Sequence, residues 1–230
     1  MISFIIPAYN EELYVRSSIA SVHRSIKDKN LPYEIIVVND SSSDSTAEVA
    51  SEAGATVIEA ECRQLGKVRN VGASHAKGDL LIFLDADTMV TKAVMSEVLD
   101  NMSEYKAGNA YGDYYDLDHT RFHRVMMRFY TWVCSRVWKV PYGYFIWCNA
   151  DSFGTGFDEE YYLFEDVWFL KKFSKGSFYF GKHRVLTSGR KAWTHNFLLR
   201  IVPLLVKVCI RGKKVLKSRS ELSIWYDGVR

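Results

Sequence analysis

The chain has 230 residues, 48% of them hydrophobic and 14% aromatic, enough to build a substantial buried core and too apolar for a disordered segment. A formal charge of +3 with 25% charged residues makes no global electrostatic case for nucleic acid, so an anionic ligand must be met by a local cluster. Cys62, Cys134, Cys148 and Cys209 are scattered without a CxxC pair, which argues against a zinc ribbon or disulfide framework and fits a reducing cytosol.

The opening MISFIIPAYNEE has no basic n-region, and its short apolar stretch stops at Pro7 and Asn10, so no secretory signal is expected. Ile2 to Ile6 reads as a strand, and Glu11 to about Lys29 places Leu13, Ile19, Val22 and Ile26 at helical intervals. The step repeats: EIIVVN (34–39) is a buried strand, DSTAEVASEAG a helix running from a cap at Asp44 or Ser45 to a terminal glycine, and ATVIEA another strand. GKVRNVGASHAKG reads as a helix stopped at Gly78, leading into the strand DLLIFL. Such alternation implies parallel pairing, right-handed crossovers and helices on both faces. Ligands of doubly wound sheets lie beyond the carboxyl ends of the strands, which puts PAYNEE, NDSSSD and DADT on one rim.

Beyond Thr91 the pattern is less regular. It predicts a helix over about 91–104, an extended NAYGDYYDLD, a long helix from Arg121 to Lys139 and an extended, aromatic YGYFIWCNADSF. FEDVWFLKKFSKG then reads as a helix beginning at its acids, SFYFGKHRVLTSGR as one or two short strands, and Trp193 to about Leu216 as a helix. With no internal repeat and no low-complexity linker, one domain is expected over 1–230.

Asp85 and Asp87 follow five large apolar residues, and acids at the mouth of an apolar layer are costly unless something pairs with them. A hard divalent cation accepts such carboxylates. Taken alone, a DxD also fits a loop cap with a solvated acid. Asp40, at the end of EIIVVND, is placed to accept from the N–H of a base or to cap a turn. Lys67 and Arg69, on the helix before the DxD, offer charge-assisted bonds to a phosphate or form a solvated face. The Glu165-Asp166 pair at a helix start also has the helix dipole as an explanation.

Together these segments resemble the family 2 inverting glycosyltransferases, which have the GT-A fold: FIIPAYNEE, EIIVVNDSSSDST, GKVRNVGASHAKGDLLIFLDADT and GFDEEYYLFEDVWFLKK occur in the family's order and approximate spacing over residues 2 to 175. The resemblance implies an α/β Rossmann-like, mostly parallel sheet with a nucleotide-sugar-binding half (1–90), an acceptor half (91–192) and a basic amphipathic tail (193–230). Pro7, Ala8, Tyr9, Asn10 and Glu11 would line the nucleotide pocket, Asp40 would contact the base, and Lys67 and Arg69 would sit near the nucleotide or sugar. Asp85 and Ala86 would lie by the ribose or donor sugar. Asp87, with Asp85 and a later histidine, His195 rather than His183, would hold Mn²⁺ or Mg²⁺ on the diphosphate. Asp166 would be the general base, with Glu165 its neighbour, and Gly154 and Gly156 would belong to the acceptor loop.

The implied reaction is a single displacement at the anomeric carbon, which needs one base and a cation for the leaving diphosphate but no covalent intermediate. UDP is the expected nucleotide, because Asp40 matches the uracil-contacting position. Asn39 and Trp168 depart from the acids common in the family and bear on nucleotide and acceptor choice. Arg190 and Lys191 of SGRKAW are what remains of an Arg-rich segment that would hold the diphosphate.

Two basic amphipathic stretches suggest what receives the sugar. Arg121, Arg124, Arg128, Arg136 and Lys139 share one helical face, and Arg200, Lys207, Arg211 and Lys214 another. FLLRIVPLLVKVCI is too short and too charged to span a bilayer; the two helices either pack their apolar faces on this chain's own sheet with the charges solvated or touch the cytoplasmic face of a membrane, and a sugar, polysaccharide or lipid-phosphate acceptor is expected. These traits fit envelope or polysaccharide synthesis. A sugar nucleotidyltransferase would need a glycine-rich basic loop after the first strand, which PAYNEE is not, and a non-catalytic binder would be expected to lack Asp87 or Asp166.

Overall fold

The computed structural model describes residues 1–116, 125, 128–129, 132–133, 143–174, 176–190 and 212–218. Its strands are β1 (Ile2–Ala8), β2 (Tyr33–Asp40), β3 (Thr56–Ala60), β4 (Leu80–Leu84), β5 (Thr88–Met89), β6 (Ala107–Tyr114), β7 (Phe145–Asn149) and β8 (Phe178–Thr187). The helices are α1 (Val15–Ile26), α2 (Thr46–Glu52), α3 (Leu65–His75), α4 (Lys92–Asn101) and α5 (Glu165–Leu170). All the strands join one eight-stranded sheet in the order β3-β2-β1-β4-β7-β6-β8-β5.

Every residue of β1 and β4 is buried, as continuous apolar runs require when a parallel strand is covered on both faces. Alternate residues of β1 feed opposite cores. Phe4 and Ile6 pack with Val15, Ile19 and Val22 of α1, while Ile5 packs with Phe83, Phe157 and Phe169. In that second core Phe83 meets Phe157 edge-on at 5.0 Å, and Phe157 stacks on Phe169 at 4.3 Å. Helix α3 lies so close to β1 that a Cβ on Gly72 would come within 2.3 Å of Ile5 Cγ2. β3, β2, β1 and β4 run parallel, β7 is inserted antiparallel between β4 and β6, and β6 pairs parallel with β8. The α/β architecture and the mostly parallel sheet are therefore as expected.

Several boundaries differ from the sequence reading. Helix α1 starts at Val15, after a turn in which the Glu11 carbonyl accepts from the N–H groups of Tyr14 and Val15, and Leu13 is left 79% exposed. SFYFGKHRVLTSGR contains a single ten-residue strand, β8, whose pairing with β6 shifts register between Asn109 and Tyr111. Glu97 of α4 holds that irregularity, accepting from the N–H groups of Lys182 (2.9 Å) and His183 (3.0 Å) and from the Tyr179 hydroxyl (2.9 Å). Glu165–Leu170 is only a six-residue helix. Of the predicted helix from Arg121 to Lys139, Val125, Arg128, Phe129 and Trp132 are helical and the remainder lies largely outside the described residues. So does most of the stretch from Trp193 to Leu216, whose end, Gly212–Lys217, is 3₁₀ rather than α-helix. No helix among the described residues is long and apolar enough to cross a membrane.

Candidate active site

The carboxyl ends of β1, β2 and β4 meet on one side of the sheet, and side chains stitch their loops together. Asn10 has a left-handed backbone (φ 53), which asparagine tolerates better than most residues. Its N–H donates to Ser42 Oγ at 3.0 Å, and its side-chain oxygen accepts from Ser43 N–H at 2.8 Å. The Glu11 N–H donates to Thr46 Oγ1 at 2.7 Å. Pro7 and Ala8 are buried within β1, so they shape this loop from beneath, while Tyr9 is half-buried. The N-cap of α2 is Ser45 rather than Asp44, and Asp44, one residue earlier, accepts from Thr46 N–H at 3.0 Å. Asp40, 4% exposed, accepts through Oδ1 from Cys62 N–H (2.7 Å) and Arg63 N–H (3.0 Å), so it also closes the turn after β3.

The turn after β4 is closed by a 3.0 Å bond from Thr88 N–H to the Asp85 carbonyl, with Ala86 buried between the two acids. It sends the carboxylates to different cations. Asp85 accepts from Arg69 at 3.1 Å, and the same guanidinium donates to Glu165 at 2.8 Å. Arg69 is only 3% exposed and lies over the Phe157 ring, 5.2 Å from its centroid. It is neither a solvated face nor an open phosphate hook; it is a buried cation between the β4 acid and the α5 acid. Lys67 instead faces Glu159 at 4.0 Å on the surface.

Asp87, 6% exposed, faces Arg190 at 3.4 Å, and Arg190 also pairs with Glu11. The oxygens of Asp85 and Asp87 are hard donors of the kind Mg²⁺ and Mn²⁺ prefer, so in type they suit a divalent cation, while here Asp87 faces Arg190 and Asp85 faces Arg69. Among the described residues, no three His, Cys, Asp or Glu side chains converge as a ligand set. His195 and Lys191 lie outside the described residues. His183 is committed elsewhere, with Nδ1 3.2 Å from Glu97.

Glu165 and Asp166 open α5 directly after Phe164, whose left-handed backbone (φ 60) costs about 1–2 kcal/mol in a non-glycine residue. Asp166 accepts from Val167 N–H at 2.7 Å and more distantly from Gly143 N–H at 3.4 Å. Burial pushes the Glu165 carboxyl up to about 7, with the Asp166 charge adding to the rise and Arg69 opposing it. Burial raises Asp166 as well, against the pull of Arg69.

Sequence reasoning missed how tightly α3 grips the loop that delivers these acids. Asn70 donates to the Phe157 carbonyl (2.9 Å) and accepts from its N–H (2.8 Å), and Gln64 donates to the Tyr161 carbonyl (2.8 Å). Gly156 precedes this clamp at φ 69, and a Cβ there would lie 2.4 Å from Asn70 Oδ1; Gly154 (φ 59) meets nothing within 4 Å. Asp116, also missed, accepts from Gly189 N–H at 2.6 Å and from the Ser188 hydroxyl. A separate depression of about 650 Å³, lined in part by His23, Lys27, Asn30 and Tyr33, lies where β2 begins, at the end of the strands remote from these acids.

The fold is shared with known proteins. The mannosyltransferase PcManGT of Pyrobaculum calidifontis, solved with GDP-Man and Mn²⁺, superposes with a TM-score of 0.67 at 16% identity over 86% of this chain and 60% of that one. S. aureus TarS 1–349 in complex with UDP superposes with a TM-score of 0.62 at 19% identity over 81% and 60%. Both share the fold. In sequence, the glycosyltransferase GlyA of Streptococcus pneumoniae is 32% identical over 124 residues, 52% of this chain but 17% of that protein, so the chain spans a small part of that relative's length. Residues 3–184 match the family described as Glycosyl transferase family 2, and with the rim acids, the buried Arg69 and the Glu165-Asp166 corner all inside that span, the chain belongs to this family.

Proposed function

We propose that the protein is an inverting, hexosyltransferase-like glycosyltransferase that moves a sugar from a nucleoside-diphosphate sugar to an acceptor hydroxyl or phosphate. The observation that carries this reading is the Arg69 bridge, 3.1 Å to Asp85 and 2.8 Å to Glu165, which holds the donor-side acid and the ED corner on one rim. The donor would lie across the loops of Pro7–Glu11, Asp40 and Asp85–Asp87, with Asp40 taking the base through the carboxylate that also holds the turn at Cys62. The Asp166 carboxylate would take the proton from the acceptor O–H as that oxygen forms its bond to the anomeric carbon. The bond from that carbon to the diphosphate oxygen breaks on the opposite face, so the configuration inverts. Glu165, held by Arg69, orients the corner and does not compete for the proton. A divalent cation, when bound at Asp87 with Asp85 and His195, would neutralise charge on the leaving diphosphate.

UDP is the favoured nucleotide, in line with the UDP complex of TarS, while the GDP-Man complex of PcManGT makes GDP its main rival. Sugar, polysaccharide or lipid-phosphate acceptors fit a cytoplasmic enzyme working at a membrane face. The one sheet running from Ile2 to Thr187 supports treating the donor and acceptor halves as a single domain. Calorimetric titration of UDP, GDP, CDP and dTDP, each with and without Mn²⁺, tests the donor site. Tight, metal-dependent binding of one nucleotide is expected; no binding of any to the folded protein would return the carboxylates to a structural role.

A further inference from the structure

Arg190 enters the site from the turn that follows β8. The turn is pinned on both sides: Ser188 N–H donates to the Asp87 carbonyl at 3.1 Å, continuing the antiparallel β5–β8 pairing, and Asp116 takes Gly189 N–H at 2.6 Å together with the Ser188 hydroxyl. From this fixed base the guanidinium reaches the Glu11 carboxylate and lies 3.4 Å from Asp87 Oδ2, with its central carbon 4.1 Å from the centroid of the Tyr14 ring. Both carboxylates are 6% exposed and Arg190 is 24% exposed, so the three charges meet largely out of water. An ion pair in that setting is weakly screened, and a second cation approaching Asp87 meets the guanidinium's repulsion at close range.

We infer that Arg190 is an exchangeable counter-cation for Glu11 and Asp87, a latch that must leave Asp87 before a divalent metal can take it. The inference rests on the donor-site reading above. A metal ion alone has to displace the guanidinium from Asp87 and leave it with Glu11 alone, so it binds poorly. A nucleoside diphosphate supplies replacement anions, and the planar fork of arginine is suited to phosphate oxygens. The diphosphate therefore draws Arg190 off Asp87 as the metal arrives, and the two ligands bind cooperatively through one side chain. Such coupling is reciprocal, so the diphosphate alone should also bind less well than it does with metal. Glu11, buried at the end of β1, thereby acts as a positioning residue that sets where the latch rests.

The probes are Mn²⁺ alone, UDP alone and the two together, followed by calorimetry and by the Mn²⁺ electron paramagnetic resonance signal on the full chain. Arg190→Gln should bind Mn²⁺ alone at least about fivefold tighter than the wild type and should lose most of the cooperativity with UDP, in line with typical coupling between sites. Arg190→Lys, which keeps the charge, should stay near the wild-type Mn²⁺ affinity. Unchanged or weaker Mn²⁺ binding by Arg190→Gln overturns the latch, even where UDP binds the wild type normally. Failure of UDP to bind any variant, with or without Mn²⁺, counts instead against the donor-site reading. Should circular dichroism show Arg190→Gln unfolded, Asp116→Asn, which loosens the turn without touching either acid, should tighten Mn²⁺ binding in the same sense, and no change there overturns the latch.

Discussion

Glu165 and Asp166 are adjacent acids, and the buried Arg69 hydrogen-bonds to Glu165 while acting on Asp166 through its charge. Arg69 donates to Glu165 at 2.8 Å, whereas Asp166 accepts from backbone N–H groups, which suits the proposal that Asp166 takes the proton. Asp166→Asn removes the basic oxygen without changing shape, so transfer should fall by about 10²–10⁴-fold while nucleotide binding persists. Parallel activity and calorimetric assays check this, and equal loss of both would point to misfolding. The pair also sets a pH dependence. Burial raises the Asp166 carboxyl above its ordinary value, and the base works only when ionised, so transfer should be lost on acidification at a higher pH than an ordinary aspartate would dictate and level off once Asp166 is ionised.

Stability should move the opposite way. Folded Glu165, raised from 4.5 to about 7, binds a proton more readily than the unfolded chain does, so its contribution declines as pH rises between those values and is constant below 4.5. Urea titrations at pH 5 and pH 8 should show this decline in the wild type and a smaller one in Glu165→Gln. The residue types of this corner were legible in FED and in LDAD. Their partners were not: Arg69 sits 16 residues from Asp85 and 96 from Glu165, and a local motif carries no information about a guanidinium that reaches both.

Helix α3 shows the same limit at the scale of an element. Its period and its apolar residues are readable in GKVRNVGASH, but its work is done by polar side chains aimed at a distant loop. Gln64, Arg69 and Asn70 hold Tyr161, Glu165 and Phe157 in turn, so one helix packed on β1 fixes the loop that carries the proposed base. Gly156→Ala tests this clamp. The new Cβ would lie 2.4 Å from Asn70 Oδ1 on a backbone at φ 69, and strain at such positions costs about 1–3 kcal/mol. A drop in stability of that size is expected in urea denaturation. Gly154→Ala carries the same backbone penalty (φ 59) with nothing for its Cβ to strike, so it should cost less. Strand β8 was harder to delimit from sequence: Gly181 stands at the break, but the irregularity is held by Glu97 from another element.

On the scale of the whole molecule, the sheet joins the parallel strands β3, β2, β1 and β4 to β6 and β8 through the antiparallel strand β7. The described part of the first basic stretch leaves Val125, Phe129 and Trp132 more than half exposed, with the Phe129 and Trp132 rings stacked at 6.0 Å. Helical aromatics at this spacing beside Arg128 suit the headgroup layer of an anionic bilayer. Flotation with vesicles containing phosphatidylserine should recover the protein, and Phe129→Ser with Trp132→Ser should reduce recovery without altering thermal stability. Equal recovery of the two proteins would remove this face from the proposed membrane contact.

Taken by itself, the sequence determined the strand–helix alternation, the parallel first half of the sheet and the rim that carries PAYNEE, Asp40 and the DxD. Hydrophobic period, run length and turn chemistry are local, and the rule placing ligands beyond strand ends needs only the order of elements. The tertiary structure alone decided which charge meets which. Asp85 went to Arg69 and Asp87 to Arg190, and Asp40 took on the turn at Cys62. Burial makes an uncompensated carboxylate costly, and the cation that relieves it comes from whichever element the fold brings alongside, whatever its distance along the chain.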